Sequence, residues 1–324
     1  VNPHDVHVYT MDWQSAGYPA AIPDMGIGWP PRNHYDTLDD KPRVQRAFRS
    51  RLNGSAGFIL DPSATPPTTE EGYANFYAYL QTVVDAEIGK VLDTLDTLGL
   101  TDSTLVVRMA DHGEMGMSHG LREKMYTAYD EAIHVPLIFS NPLAFPQGVA
   151  TDAFASLLDL LPTLASMVGL PPQKGLYGQD LTPVLSGARP SVQDDVLYAY
   201  DDQFFVFAHA LPTNIRAVRT PFWMYAVYFS EANPDLPLEF ELYDMVNDPG
   251  QLKNLLSPRH FDPAILPDWL DLNKRLIELV TRNDALPPNV LLPPPEALGL
   301  ALLETVDAPF VLAEVAGEPW LEGK

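Results

Sequence analysis

Cysteine is absent from all 324 residues. That excludes disulfides, thiolate metal sites and a cysteine nucleophile within this stretch of chain. Basic residues are scarce: 20 Lys and Arg stand against 43 Asp and Glu, a formal charge of −23. So acidic a surface repels phosphate backbones and anionic headgroups, and neither nucleic acid nor a membrane is an expected partner. The acidity is global, though, and a metal ion with a lysine can dominate a local field and hold an anionic substrate. Long apolar runs are missing too. No uncharged run of about 18 apolar residues occurs, and no basic-then-apolar leader, so the sequence predicts neither a membrane span nor a signal peptide. With no cysteine framework either, a cytoplasmic location is expected ahead of a periplasmic or secreted one.

What is present is ordinary globular content: 46% hydrophobic residues and a mean hydropathy of −0.07. The length suits one large or two modest domains with a sizeable core. The 32 prolines gather in 20–32, 61–67 and 286–295, which read as connections or arms. One stretch, 104–141, carries the chemistry. Residues 104–110 form an apolar run with the β-branched content of a buried strand. It stops at Asp111-His112-Gly113-Glu114, and a second strand-like run, 135–140, comes after a polar segment holding His119 and Lys124. Open α/β sheets place ligands at the carboxyl ends of their strands. Asp111 offers a hard oxygen and His112 a borderline nitrogen, a plausible half of a metal site. The plainer reading of the tripeptide alone is a turn in which Asp111 caps the next helix and Gly113 supplies positive φ.

The wider stretch favours the first reading. Ala110-Asp111-His112-Gly113-Glu114, then Lys124, then Tyr129-Asp130-Glu131-Ala132-Ile133-His134-Val135-Pro136-Leu137-Ile138 resembles, in order and spacing, the sulfatase branch of the alkaline phosphatase superfamily. Its members carry a strand, S-D-H-G-E or S-D-N-G, a lysine, and Y-E-E-x-x-x-V-P-L-I. Other segments agree. Pro3-His4-Asp5 is similar to the family's P-H-D, and Asp85-Ala86-Glu87-Ile88-Gly89 to the middle of its pre-strand helix. Glu241-Leu242-Tyr243-Asp244, continuing to Asn254-Leu255, is similar to its E-L-Y-D-L-x-x-D-P-x-E-x-x-N-L. The resemblance spans nearly the whole chain, apart from a long loop over 11–67 and a tail from Asn283.

Residue patterns predict several elements directly. A helix begins at a Thr68–Glu71 capping box, carries an apolar core stripe from Tyr73 to Leu98, and ends at Gly99. A second, over 153–168, ends at Gly169 and is kinked by Pro162. Alternation over 194–229 predicts antiparallel strands, and a last amphipathic helix covers 265–281. Helix followed directly by strand suggests a parallel sheet. The resemblance implies an α/β fold of alkaline-phosphatase type: a doubly wound, mostly parallel sheet with helices on both faces over 1–190. A smaller α+β subdomain with an antiparallel sheet would fill 191–282, and a Pro-rich acidic tail or arm 283–324.

The resemblance also implies a sulfuric ester hydrolase. One divalent cation, Ca²⁺ ahead of Mn²⁺ or Mg²⁺, would be held by Asp111 and His112. Lys124, 13 residues after Asp111, would bind the oxygens of a small anionic ester, and His4 would bind the ester bridge or protonate the leaving alkoxide. Many sulfatases have Asn where His112 stands; phosphonate monoester hydrolases and choline sulfatases have His. His119 is expected to be structural, and His134 is given no role. The family nucleophile is a formylglycine made within C-x-P-x-R or S-x-P-x-R. Neither motif occurs here, so it is expected in a missing N-terminal half of the same enzyme. Two alternatives stand beside this: a phosphonate or phosphate ester hydrolase of the same superfamily, and a non-catalytic binding or scaffold fragment. The apolar tail suggests a homo-oligomer in which it packs on a neighbouring subunit.

Overall fold

The computed structural model of the protein describes residues 22–54, 69–172, 174–201, 210–288 and 290–294. Its helices are α1 (Arg43–Gly54), α2 (Glu70–Thr97), α3 (Asp130–Ile133), α4 (Leu160–Met167), α5 (Thr182–Leu185) and α6 (Leu266–Arg282). Its strands are β1 (Val106–Met109), β2 (Leu137–Ser140), β3 (Val196–Tyr200), β4 (Asn214–Arg219), β5 (Trp223–Phe229) and β6 (Glu239–Asp244).

Local chemistry sets the helix ends, with two corrections to the sequence reading. The cap of α2 is Thr69, not Thr68: its hydroxyl accepts the Gly72 N–H at 3.0 Å. Glu71 therefore falls one place short of the reciprocal box position. At the other end Gly99, at φ 66°, closes the helix as expected, with Gly99 N–H on the Asp96 carbonyl and Leu100 N–H on Leu95. The second correction concerns Pro162. The helix expected over 153–168 starts later, at a reciprocal cap in which the Ser156 hydroxyl accepts from Leu158 N–H and Asp159 accepts from Ser156 N–H. A short 3₁₀ turn, Leu157–Asp159, leads into α4. Pro162 therefore lies in the first turn of α4, where no N–H is needed, rather than in the helix interior.

β3, β4, β5 and β6 form one antiparallel meander in that order, as the alternation predicts. Both faces are covered. Ile215, Ala217, Met224, Ala226, Tyr228 and Tyr243 face a core shared with Val44 and Phe48 of α1 and with Met115, Leu121, Tyr126 and Tyr129. Val218, Tyr225, Val227 and Leu242 face Trp269, Leu272, Leu276 and Leu279 of α6. The sheet is thus a middle layer, and the segment after β1 belongs to the layer above it. Leu292 joins the α6 core, and Asn273 donates to the Pro293 carbonyl at 2.8 Å, so the described start of the tail folds back on its own chain.

The other sheet differs from expectation. β1 and β2 pair antiparallel, Val106 opposite Ser140 and Met109 opposite Leu137. A parallel neighbour requires a crossover, usually a helix. Here the connection holds only a 3₁₀ turn, Ser118–Gly120, and the four-residue α3 within a long loop packed on the meander, so the chain returns antiparallel. Nor is the α2 stripe core among the described residues: the helix has no buried residue, and Val91 and Leu98 are 63% and 64% exposed. No described helix is long and apolar enough to cross a membrane.

Candidate functional site

Asp111 and His112 occupy the bend just past the end of β1. Asp111 Oδ1 accepts the His112 N–H at 3.0 Å. His112 Nδ1 lies 2.8 Å from the Gly113 carbonyl. A carbonyl can only accept, so Nδ1 carries the proton and Nε2 of the neutral ring keeps its lone pair. That Nε2 is 3.5 Å from Asp111 Oδ2. Two free donor atoms of suitable type therefore converge, one oriented by a backbone carbonyl as metal-bound histidines usually are. Both side chains are exposed, 86% for Asp111 and 44% for His112. Among the described residues no third His, Asp or Glu completes a metal cluster. The pair fits as half of a cation site.

Gly113 serves the turn by closeness rather than by positive φ. Its N–H donates to the Ala132 carbonyl at 2.8 Å, and a β-carbon there would lie 2.0 Å from the Glu131 carbonyl oxygen. Glu114 ties the two limbs of the following loop together. One carboxylate oxygen accepts from the Tyr73 hydroxyl at 2.8 Å, the Glu123 N–H at 2.8 Å and the Gly116 N–H at 3.2 Å. Burial, then the charge of Glu114, pushes the Tyr73 phenol well above its ordinary value. Met115 N–H to Glu123 and Met117 N–H to Leu121 pair the limbs as a hairpin. Lys124 comes directly after, on the returning limb, half-buried, its ammonium 3.6 Å from Glu123.

Asp111, His112 and Lys124 thus belong to one loop, the first two before its outgoing limb and the third after its return. His4 lies outside the described residues. His119 is fully buried at the hairpin tip, Nδ1 2.7 Å from Asp36. His134 is exposed. In the Tyr129-Asp130-Glu131 segment every side chain holds structure: Tyr129 bonds Gln45 at 2.6 Å, Arg219 grips both oxygens of Asp130 at 3.1 and 3.2 Å, and Asn33 donates to Glu131 at 3.0 Å. Asp36, Lys41 and Gln45, which meet this region from a stretch read largely as loop, carry no sequence signal. They are separated from their partners by 83 to 210 positions.

Comparison with known proteins identifies the assembly. Residues 30–170 match the family described as Sulfatase, and residues 117–280 match the one described as N-sulphoglucosamine sulphohydrolase, C-terminal. An ulvan-active sulfatase of Formosa agariphila is 32% identical over 68% of this chain and 42% of its own length. A putative sulfatase of Bacteroides thetaiotaomicron superposes with a TM-score of 0.66 at 26% identity, covering 88% of this chain and 58% of the other. The phosphonate monoester hydrolase of Agrobacterium radiobacter does so with a TM-score of 0.58 at 26% identity, covering 71% and 45%. The chain spans less than half the length of the curated relatives it matches. The alkaline-phosphatase-like α/β architecture expected from the sequence is that of these solved neighbours. The chain belongs to the sulfatase family of the alkaline phosphatase superfamily.

Proposed function

We propose that this chain is the metal- and substrate-binding part of an enzyme that hydrolyses sulfate monoesters, breaking the S–O bond with water to give the alcohol and hydrogen sulfate. The observation that carries the reading is the turn after β1, where Asp111 Oδ2 and His112 Nε2 stand 3.5 Å apart with both lone pairs free. These two residues would hold one divalent cation, Ca²⁺ ahead of Mn²⁺ or Mg²⁺. When bound, the ion polarises an ester oxygen and stabilises charge developing on it. Lys124 binds the sulfuryl oxygens as a point charge. His4 holds the bridging oxygen and gives the leaving alkoxide its proton, work suited to an imidazole near neutral pH. A formylglycine supplied from an upstream segment acts as nucleophile. That segment would also cover the open stripe of α2 and the exposed side chains of β1 and β2, among them Met109 and Ile138. The substrate class is a sulfated sugar, as the names of the matched family and relatives suggest. A second subunit is the proposed partner of the tail 283–324, of which residues 295–324 lie outside the described residues; truncation at Asn283 that leaves the mass in light scattering unchanged removes that claim.

The test uses the full-length protein, chelated and reloaded with Ca²⁺ or Mn²⁺, assayed on 4-nitrophenyl sulfate and sulfated disaccharides. Asp111→Ala should abolish metal retention and lower kcat/KM by about a hundred- to a thousandfold, on the scale of losing one strong transition-state contact. Unchanged turnover with the metal removed, or with Asp111→Ala, rejects the reading. A second reading, hydrolysis of phosphonate or phosphate esters, is favoured by His112 and by likeness to the Agrobacterium enzyme. A higher kcat/KM on phenyl phosphonate monoesters than on phenyl sulfate selects it. No turnover of either ester, with partner binding intact in Asp111→Ala, selects a scaffold instead.

A further inference from the structure

The hairpin between Asp111 and Lys124 is pinned at its tip by a group that the proposed chemistry does not use. His119 is fully buried and sits in the left-handed region, φ 54° and ψ 20°, which a side chain adopts only where its surroundings hold it. Three contacts do so. Nδ1 donates to Asp36 Oδ2 at 2.7 Å. The ring stacks on Tyr129, centroids 3.8 Å apart and planes within 9°. The carbonyl accepts from Arg49 at 3.1 Å.

Each partner is fixed in turn. Asp36 accepts the Leu38 N–H at 2.9 Å and lies 3.8 Å from the buried ammonium of Lys41. Burial alone would raise its carboxyl; the hydrogen bond from His119, the Leu38 N–H and the Lys41 charge outweigh that and hold it below the ordinary value. Lys41 donates to the carbonyls of Leu252 and Gln251 at 2.7 and 3.1 Å. The Tyr129 hydroxyl donates to Gln45 and sits 3.3 Å from Glu241. Glu241, buried on β6, also accepts from Tyr228 and Tyr243 at 2.6 Å each. Polar contacts therefore run from Glu241 in the four-stranded sheet to the Tyr129 hydroxyl, and the stacked ring of Tyr129 carries the connection on to His119 at the hairpin tip.

The limbs of that hairpin are joined by Met115 N–H to Glu123 and Met117 N–H to Leu121. One limb begins just after Asp111-His112 and the other ends at Lys124. With the tip held, neither limb can turn independently about the root. We propose that the Asp36–His119 pair, stacked on Tyr129, is a positioning element that fixes Asp111 and Lys124 relative to each other through the hairpin they bracket. The proposal rests on the reading of Asp111 and Lys124 as the reacting site.

His119→Phe keeps the ring and its stack but removes the donor to Asp36; His119→Asn restores a donor near the place of Nδ1. The full-length protein and both variants are compared by kcat and KM on 4-nitrophenyl sulfate, Ca²⁺ affinity by calorimetry, and amide exchange at 113–123. The Phe variant should lose about 10- to 100-fold in kcat or Ca²⁺ affinity, the usual cost of removing an outer partner of a site. KM should change much less, and the Met115 and Met117 amides should exchange faster. The Asn variant should recover most of the loss, which a merely space-filling role would not produce. Wild-type kcat, affinity and exchange in the Phe variant overturn the proposal, as does an Asn variant no better than Phe. If the Phe variant does not fold, Asp36→Asn carries the test. At least a threefold loss of kcat at an unchanged melting temperature supports the proposal, and wild-type kcat with wild-type exchange overturns it. A wild-type protein inactive on every ester removes the functional reading alone, and exchange at 113–123 still decides the positioning.

Discussion

At the scale of single residues, the Asp111–His112 pair is made of neighbours in sequence, which is why it was legible there, whereas His4 lies outside the described residues. Asp111 and His112 need only a strand end to converge, and a run of apolar residues stopping at two polar ones marks a strand end. Gly113 was half legible. The sequence called for glycine in a turn, but the reason is the Glu131 carbonyl, 2.0 Å from where a β-carbon would sit, a contact no local pattern encodes. Gly113→Ala must push the turn or α3 aside, an overpacking cost of about 1–3 kcal/mol, and it would shift the turn that carries Asp111 and His112, the two proposed metal donors. Urea denaturation should show that loss together with weaker Ca²⁺ binding; a variant of wild-type stability means the two segments separate freely. The partners of His119 were not legible at all. Asp36 stands 83 positions away, and a hydrogen bond across that distance leaves no periodicity and no spacing to read.

Among the elements, α2 separates what the sequence can say from what it cannot. Apolar residues at helical spacing predicted a helix with a buried stripe, and the helix is there, closed by Gly99 as expected. Periodicity reports that a face wants to be covered; it does not say by which segment. In the structure no residue of that helix is buried, and its C-terminal part is open, with Val91 and Leu98 each more than 60% exposed, whereas the amphipathic α6 is matched to its sheet through Trp269, Leu272 and Leu276. The same limit explains β1 and β2. Their composition identified strands, but direction depends on the connection, and the loop between them carries no crossover helix. If an upstream segment covers α2, Val91→Glu with Leu98→Glu should change the stability of the 324-residue chain by no more than about 0.5 kcal/mol, as exposed substitutions do. In the full-length protein the same pair should cost about 3–5 kcal/mol, because it buries charge without a partner. Equal effects in both, measured by denaturation, would leave α2 facing solvent in the whole protein.

For the molecule as a whole, the four-stranded sheet is the layer that everything near the site leans on, and its buried carboxylate makes the packing depend on pH. Glu241 has no contact with water and is ringed by Tyr228, Tyr243, Gln45 and Tyr129. Desolvation raises its carboxyl above the ordinary 4.5 despite the hydrogen bonds from Tyr228 and Tyr243, which lower it. The folded state therefore binds its proton more tightly than the unfolded chain does. The stability this contributes is present below pH 4.5 and is lost as pH rises through the raised folded value. Asp36 acts in the opposite sense. Its carboxyl is held below the ordinary 3.8, so its contribution is present above that value and is lost as pH falls through the lowered one. The two limbs can be removed separately. Glu241→Gln keeps the shape and an acceptor oxygen but cannot ionise, so the wild-type-minus-variant stability difference should fall as pH rises above 4.5 and level off once pH has passed the raised folded value. Asp36→Asn should leave that difference flat over the same range and change it only in the acid limb, near and below 3.8. Urea midpoints across a pH series read both. A Glu241→Gln profile running parallel to wild type between pH 4.5 and 8 would mean that the carboxylate stays charged inside the sheet, with its four donors fully offsetting the loss of water.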